Sequence, residues 1–390
     1  MTQSKREPIW RSSPWRWYRV CIVIFLSMMI MVPVLSLNVE AKRVTAIGLG
    51  TLGGAESFGN DVNNRGQVVG MSFTAELPYN NWHSFSWTMK AGMVDLNPFE
   101  SYYSQAKAVN DRGDVVGYYM PPSAFYDQAC LWGEQGKFVD LGSLWGGYGT
   151  ASYARDINNN GLIVGIGYTY EELMSPSYLV GHALIWTKCA SGYKCQDIGT
   201  LPGGDMAWAY GANDRNEVVG ISATQVDPFG PMEYHAFIWR VGKGMTDLGQ
   251  LGDVNQGLCA ACDINNKGQV VGHDLLPDYN GAPTIEDRGF TCGGKWGGMD
   301  PVRTPNGYVS SYVQGINDRG DMVGGLWLDA YYTGRHAALW PAHGSCIDLG
   351  TLPGGYDSYA KNINARGIVV GTSSGTTDFG WGYQATIWCT

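Results

Sequence analysis

Charge is scarce in this 390-residue sequence, at 16% of residues, and past residue 45 there is no helix-period segment and no low-complexity linker. The missing 3.6-residue periodicity argues against a helical bundle, and the missing biased tracts argue against a flexible multidomain chain. One chemical signature is absent as well: no His-Glu-x-x-His metal motif occurs. Long apolar runs are confined to Val20–Leu37, preceded by Lys5, Arg6, Arg11, Arg16 and Arg19 and followed by Val39-Glu40-Ala41. That order reads as a secretory signal over residues 1–41, with an uncleaved N-terminal membrane anchor as the rival reading, since the run is at the short limit for spanning a bilayer. Cys21 stands at the start of the run and no Cys follows its end, so a lipid-modified N-terminus is not expected.

Without residues 1–41 the chain loses those five basic residues and Glu7 and Glu40, leaving 21 basic against 33 acidic residues, a net charge of −12. Such a surface excludes nucleic acid as a partner. Eight of the nine cysteines remain, in a compartment that permits disulfides. Cys189 and Cys195 flank a five-residue turn between two predicted strands and are the expected disulfide pair. Cys259-Ala260-Ala261-Cys262 has redox spacing but no predicted helix start to stabilise a thiolate, so a structural disulfide, with Cys292 as a further candidate, is the reading there.

What is abundant is Gly (55), Trp (15) and Tyr (23), the composition of short strands and tight turns. One stretch organises it. Asp156-Ile157-Asn158-Asn159-Asn160-Gly161-Leu162-Ile163-Val164-Gly165 recurs in seven versions, ending at Gly70, Gly117, Gly165, Gly220, Gly272, Gly324 and Gly371. The leading Asn is constant, and the turn Gly is replaced once, by Asn216, the residue that best tolerates positive φ after Gly. A small residue precedes each motif (Gly59, Ala106, Ala154, Ala209, Ala261, Val313, Ala360), a third strand ends in Trp, and a fourth carries Asp-Leu-Gly. Four strands per repeat of about 50 residues is one propeller blade. The chain ends on a third strand, Ala385-Thr386-Ile387-Trp388, and the mature sequence begins with an unaccompanied fourth, around Ile47-Gly48. The expected fold is therefore all-β: a seven-bladed β-propeller over residues 42–390 with four-stranded blades, the ring closed by the N-terminal strand completing the last blade, rather than a β-solenoid.

From about Val44 to its end the chain resembles the HAF-repeat extracellular proteins. The resemblance rests on His235-Ala236-Phe237-Ile238-Trp239 with Asp247-Leu248-Gly249, and on Asn265-Asn266-Lys267-Gly268-Gln269-Val270-Val271-Gly272. Blade 2 departs with Gln128-Ala129-Cys130-Leu131-Trp132, and blade 5 with Arg288-Gly289-Phe290-Thr291-Cys292. The resemblance implies export and a repeat scaffold and carries no catalytic residues.

The repeated polar residues read as scaffold. The Asp156 version matches the start of a calcium loop, but Gly167 sits where a bidentate carboxylate belongs and Arg65, Arg112, Lys267 and Arg319 replace a ligand elsewhere. The recurring His83, His182, His235 and His336 cannot converge on one metal from different blades, and are expected to hydrogen-bond neighbouring blades, as is the Asp of Asp-Leu-Gly. No metal and no cofactor is expected. Function is placed instead on the variable loops of one face, where aromatics stand beside acids: Trp82, Tyr102, Tyr103, Trp145, Tyr170, Glu171, Trp208, Glu233, Tyr234, Tyr279, Trp327 and Tyr332. The expected function is an exported, non-enzymatic binding module for glycan or a surface protein. The alternative is a propeller glycoside hydrolase or polysaccharide lyase using Glu233, Asp253 or Glu56 with a nearby Tyr.

Overall fold

The protein is described from a computed structural model covering residues 44–390, apart from 76–80, 98–100, 123, 134–135, 145–149, 170–180, 225–232, 252–257, 277–285, 294–297, 330–332, 378–379 and 390. Residues 1–43 form a separate unit, so the leader lies outside the described residues. The described residues contain 28 strands and no α-helix.

Each sequence repeat folds as four antiparallel strands. In copy 1 these are Gly53–Val62, Val68–Thr74, Trp82–Thr88 and Gly92–Asp95, paired in sequence order. Copies 2 and 3 form separate four-stranded sheets, and copies 4 to 6 join in one twelve-stranded sheet through two single-residue parallel contacts, Tyr234 with Leu258 and Arg288 with Ser311. The last copy, Ser358–Ile363, Ile368–Thr377 and Gly380–Cys389, takes its fourth strand from the N-terminus: Thr45–Gly48 pairs antiparallel with Gly380–Cys389.

The repeated Asn explains the turn between the first two strands. Its Oδ1 accepts the amides two and four residues on, as Asn63 does from Arg65 and Gln67, an arrangement repeated in every copy. Its Nδ2 donates to the backbone carbonyl of the next copy's Asn at 2.7 to 3.3 Å: Asn63 to Asn110, Asn110 to Asn158, and so on to Asn317 with Asn364. Asn364 donates in turn to Asn63 at 2.9 Å. Asp could not donate and a longer amide would not reach, so one residue type satisfies both demands. Asn216 has φ 59, the positive value expected of it, where the six other copies carry glycine with φ from 81 to 95.

Apolar packing follows the same succession. Each of the seven core clusters among the described residues is shared by two adjacent copies, such as Val164, Ala183 and Ile185 against Ala207, Ala209 and Phe237. One cluster joins Val62, Val68 and Phe85 of copy 1 to Val370, Ala385 and Ile387 of copy 7. The third-strand tryptophans enter these layers, with Trp186 and Trp388 fully buried. In copy 5 Cys292 opposes Val270 as Trp239 opposes Val218, so a thiol fills the tryptophan's place.

Two expectations are corrected. The histidines bond within their own copy, third strand to fourth: His83, His182, His235 and His336 lie 2.7 to 2.8 Å from Asp95, Asp197, Asp247 and Asp348. Cys189 and Cys195 form no disulfide: Cys189 opposes Gly192, while Cys195 opposes Trp186 and packs on an apolar cluster. The eight cysteines among the described residues are all free, and the Cys259–Cys262 pair is likewise unlinked, Cys259 being buried against Met299.

Candidate functional site

A β-bulge recurs in every first strand. The register against the second strand slips at one residue in each copy, between Gly59 and Asp61, Ala106 and Ala108, Ala154 and Asp156, and so through Ala360 and Asn362. The skipped residue has no cross-strand partner and is turned out of the pleat. These seven residues are Asn60, Lys107, Arg155, Tyr210, Cys262, Gln314 and Lys361, and all line one cavity of about 400 Å³. Trp208, Ile221, Leu258, Ala260 and His273 complete its wall toward the loops that follow the second strands. At the other end the Asn turns of all seven copies surround a narrower space of about 160 Å³.

Three cations, Lys107, Arg155 and Lys361, and three carboxylates, Asp61, Asp156 and Asp263, line the cavity. Lys107, Arg155 and Lys361 have no ion-pair partner among the described residues, in contrast to Arg112, Arg215 and Arg319, each of which meets a carboxylate at the surface. Burial holds the Lys107 ammonium well below its ordinary value, and the charges of Arg155 and Lys361 depress it further. Burial likewise lowers Lys361, against a raising contribution from Cys262 and with further lowering from Arg335 and Arg155. Arg155 Nε and Trp208 Nε1 are buried donors without an acceptor among the described residues. Orphaned donors beside clustered positive charge favour an occupant rich in acceptor oxygen.

Beneath the cations sit Asp61, Asp156 and Asp263. Each carboxylate accepts the amide of the following residue and an amide of the next copy: Val62 and Val109, Ile157 and Ala212, Ile264 and Ile316, at 2.7 to 2.8 Å. Burial pushes Asp61 up to about 6, Asp156 to about 8 and Asp263 to about 7, the amide hydrogen bonds pulling the other way. The even copies place Ala108, Gly211 and Gly315 at this position, leaving room for the neighbour's carboxylate. These acids therefore staple copies together, with oxygens already engaged.

The loop residues that are described make separate contacts. Trp82 packs on Tyr103 at 5.1 Å and on Phe73 at 6.0 Å, and Trp327 donates to Asp287 and lies under Arg335. Glu233 is engaged by His235 and Gln250, beside the half-buried Tyr234, and Tyr102 stands 63% exposed. Of these loop residues, Trp208 is the one among the described residues that reaches the cavity. Trp145, Tyr170, Glu171, Tyr279, Tyr332 and Asp253 lie outside the described residues. Glu233 and Glu56, proposed as acids of a hydrolase, are not in the cavity wall; Glu56 meets the Tyr383 amide instead. The seven bulge residues escaped the sequence reading, although the signal was present: the position after each small residue is the one that differs most freely between otherwise similar copies.

No protein-family model and no curated protein matches the chain. Among solved structures, the β-propeller domain of the trilobed protease from Pyrococcus furiosus, which has an open velcro topology, matches with a TM-score of 0.53 at 11% identity, over 85% of this chain and 93% of that one. The fold is a β-propeller. A gluconolactonase from Xanthomonas campestris is matched with a TM-score of 0.37 at 13% identity, over 72% of this chain and 86% of that one. In a propeller the first strands of the blades face the axis, so the cavity bounded by the bulge residues is axial.

Proposed function

We propose that this chain is an exported binding module, a seven-bladed propeller closed by its N-terminal strand, whose axial cavity takes an acidic sugar. Ring closure is supported by the last-to-first contacts: the Asn364 hydrogen bond to Asn63, the apolar cluster shared by the two end copies, and the pairing of Thr45–Gly48 with Gly380–Cys389. Export is supported by the basic, apolar and small-residue order of residues 1–41, and membership among the HAF-repeat proteins by the seven ordered motifs.

The observation that carries the ligand class is the convergence of Lys107, Arg155 and Lys361, without carboxylate partners, on one cavity. Three cations at this spacing repel one another and pay desolvation, costs that an anion offsets on binding. Trp208 and Tyr210 offer flat faces for a sugar ring, and Asn60 and Gln314 offer amides for hydroxyl groups. A volume of about 400 Å³ suits one or two rings.

Calorimetry on residues 42–390 with uronate-bearing and neutral oligosaccharides, read with chromatography for released product, tests the proposal. Binding of acidic sugars alone, abolished by Lys107→Ala with Lys361→Ala and unaccompanied by cleavage, is the expected result. Equal binding of neutral sugars, or binding that survives both substitutions, would overturn it.

A further inference from the structure

The axial cavity contains a second chemical feature that anion binding does not require. Cys262, the bulge residue of copy 5, projects into the cavity, and His273 lines the same wall from the adjoining strand, opposite Ala260. His273 presents Nδ1 to Asp287 Oδ1 at 3.1 Å and lies beside Cys262, whose Sγ stands 3.8 Å from the Ala260 carbonyl oxygen. Asp287 is itself fixed by the Trp327 indole at 3.1 Å, and Gln314 Nε2 lies 3.8 Å from Cys262 Sγ. A thiol, an imidazole and a carboxylate thus stand in series, with an amide donor beside the sulfur and an open volume in front of it.

From this geometry we infer that Cys262 is a nucleophile, its proton held by His273 and the imidazole oriented by Asp287, directed at anionic electrophiles that enter the axial cavity. In such a relay the proton leaves Sγ for the imidazole, giving a thiolate and an imidazolium. Attack on an ester of a small acid forms an S–C bond and breaks the C–O bond, and the departing alkoxide takes the proton from His273. Water then hydrolyses the thioester, releasing the acid and returning the thiol.

The surroundings favour a protonated imidazole. Burial alone would lower His273; the Cys262 charge, the hydrogen bonds to Asp287 and Cys262 and the charge of Asp287 outweigh it and hold the imidazolium up to about 10. Around these two groups stand Asp274 next in sequence, Tyr312 with its ring 6.1 Å from His273, Lys361, Tyr210 and Cys259. Lys361 adds positive charge near the sulfur, and Cys259 is buried on the opposite side in the apolar core.

The inference rests on the same anion-binding cavity as the function proposed above but makes a separate demand, and one experiment reads both. The folded chain is treated with limiting iodoacetamide or iodoacetate from pH 5.5 to 9, and alkylation is measured residue by residue by mass spectrometry. An ordinary thiol slows by about two orders of magnitude between pH 8.5 and 6. Cys262 is expected to lose less than fivefold over that range and to prefer iodoacetate over iodoacetamide at least tenfold relative to the exposed Cys389. His273→Gln is expected to restore the ordinary pH dependence without unfolding the chain. Ordinary pH dependence in the unsubstituted protein, or no alkylation of Cys262, overturns the inference even where the iodoacetate preference persists. A flat pH profile without iodoacetate preference would uphold the nucleophile and sink the anionic-ligand reading.

Discussion

The Asn362 side chain donates to Asp61 Oδ1 at 2.6 Å, joining residues 301 positions apart in the sequence. Around the axis the copies alternate, Asp61, Asp156 and Asp263 in odd copies with Ala108, Gly211 and Gly315 in even ones. A second tier alternates in antiphase, Asn64, Asn159 and Asn266 against Asp111, Asp214 and Asp318, each amide bridging to a neighbouring acid. Copies 7 and 1 are both odd and hydrogen-bond to one another, so the alternation breaks between them. There copy 7 carries neutral Asn362 and Ala365 where acid and amide would clash with their own kind.

Asn362→Asp would place a second carboxylate against buried Asp61. It is expected to lower stability at pH 8 by about 3 kcal/mol, the scale of an uncompensated buried charge. The loss should shrink at pH 5, where one proton can be shared. Urea unfolding at the two pH values measures it, and an equal loss at both would dissociate the effect from charge.

Asn216 does more than tolerate a positive φ. In five copies the repeated Asn finds a second acceptor four residues on, at Gln67, Asp114, Glu217, Gln269 or Asp321. Copy 3 has Leu162 at that place, and Asn158 Nδ2 reaches Asn216 Oδ1 of copy 4 instead, at 2.8 Å. Asn216→Gly therefore trades one hydrogen bond, about 1 kcal/mol, against relief of a left-handed side chain of similar size. Near-neutral stability is expected alone, and a gain of about 1 kcal/mol is expected in a Leu162→Gln background that supplies the missing acceptor. A double-mutant cycle with no coupling would refute the compensation.

These two cases mark what the sequence made legible. The Asn, Gly and small-residue positions repeat because every blade needs the same turn and the same close approach, so period and strand order were readable without coordinates. The acid alternation was also written in the sequence, at Asp61-Val62-Asn63-Asn64 against Ala108-Val109-Asn110-Asp111, but only an exchange of partners between copies gives it meaning. The cavity was harder to read, because a bulge changes which way one residue points and marks that position only by free variation between copies, with no fixed residue type. Lys107 and Arg155 occupy the place of an ordinary strand residue, whereas the aromatic loops stand out by composition.

The cysteine geometry predicts indifference to reductant. Cys189 is exposed beside Ser191 and Cys195 packs in an apolar cluster three positions out of register, so neither can reach the other without moving the hairpin. Thermal unfolding with and without dithiothreitol is expected to coincide. A drop of several degrees on reduction would restore the disulfide, since closing a short loop contributes about 2–3 kcal/mol.

The carboxylate tier sets an unusual pH dependence. Folded-state pKa values of about 6, 7 and 8 for Asp61, Asp263 and Asp156, against 3.8 for an ordinary Asp, mean that the native state holds more protons than the unfolded chain from about pH 4 to 8. Stability then falls as pH rises through that window, by up to about 1.4 kcal/mol per pH unit for each proton difference. His273, raised to about 10, acts in the same direction above pH 6.5. Asp197, Asp321, Asp348 and Glu217 are held low by their hydrogen bonds against the effect of burial, and their contribution fades only on further acidification. The stability maximum is expected near pH 5, and urea midpoints that rise from pH 5 to 8 would contradict it.

The cations at the axis should cost the empty protein stability. Lys107 and Lys361 lie half-buried without carboxylate partners, each depressed by burial first and by neighbouring positive charge besides, an arrangement that packing alone would not select. Lys107→Gln and Lys361→Gln keep the length and polarity of the lining while removing charge. Each is expected to stabilise the ligand-free chain by about 1 kcal/mol and to weaken acidic-sugar binding at least tenfold, the opposed signs expected of a strained site. Arg335 supplies the contrast: it is held by Asp357 at 3.3 Å and stacked on Tyr359 at 4.1 Å, so Arg335→Gln should destabilise. Denaturant midpoints for the three variants separate the roles, because a structural cation and a ligand-binding cation move stability in opposite directions.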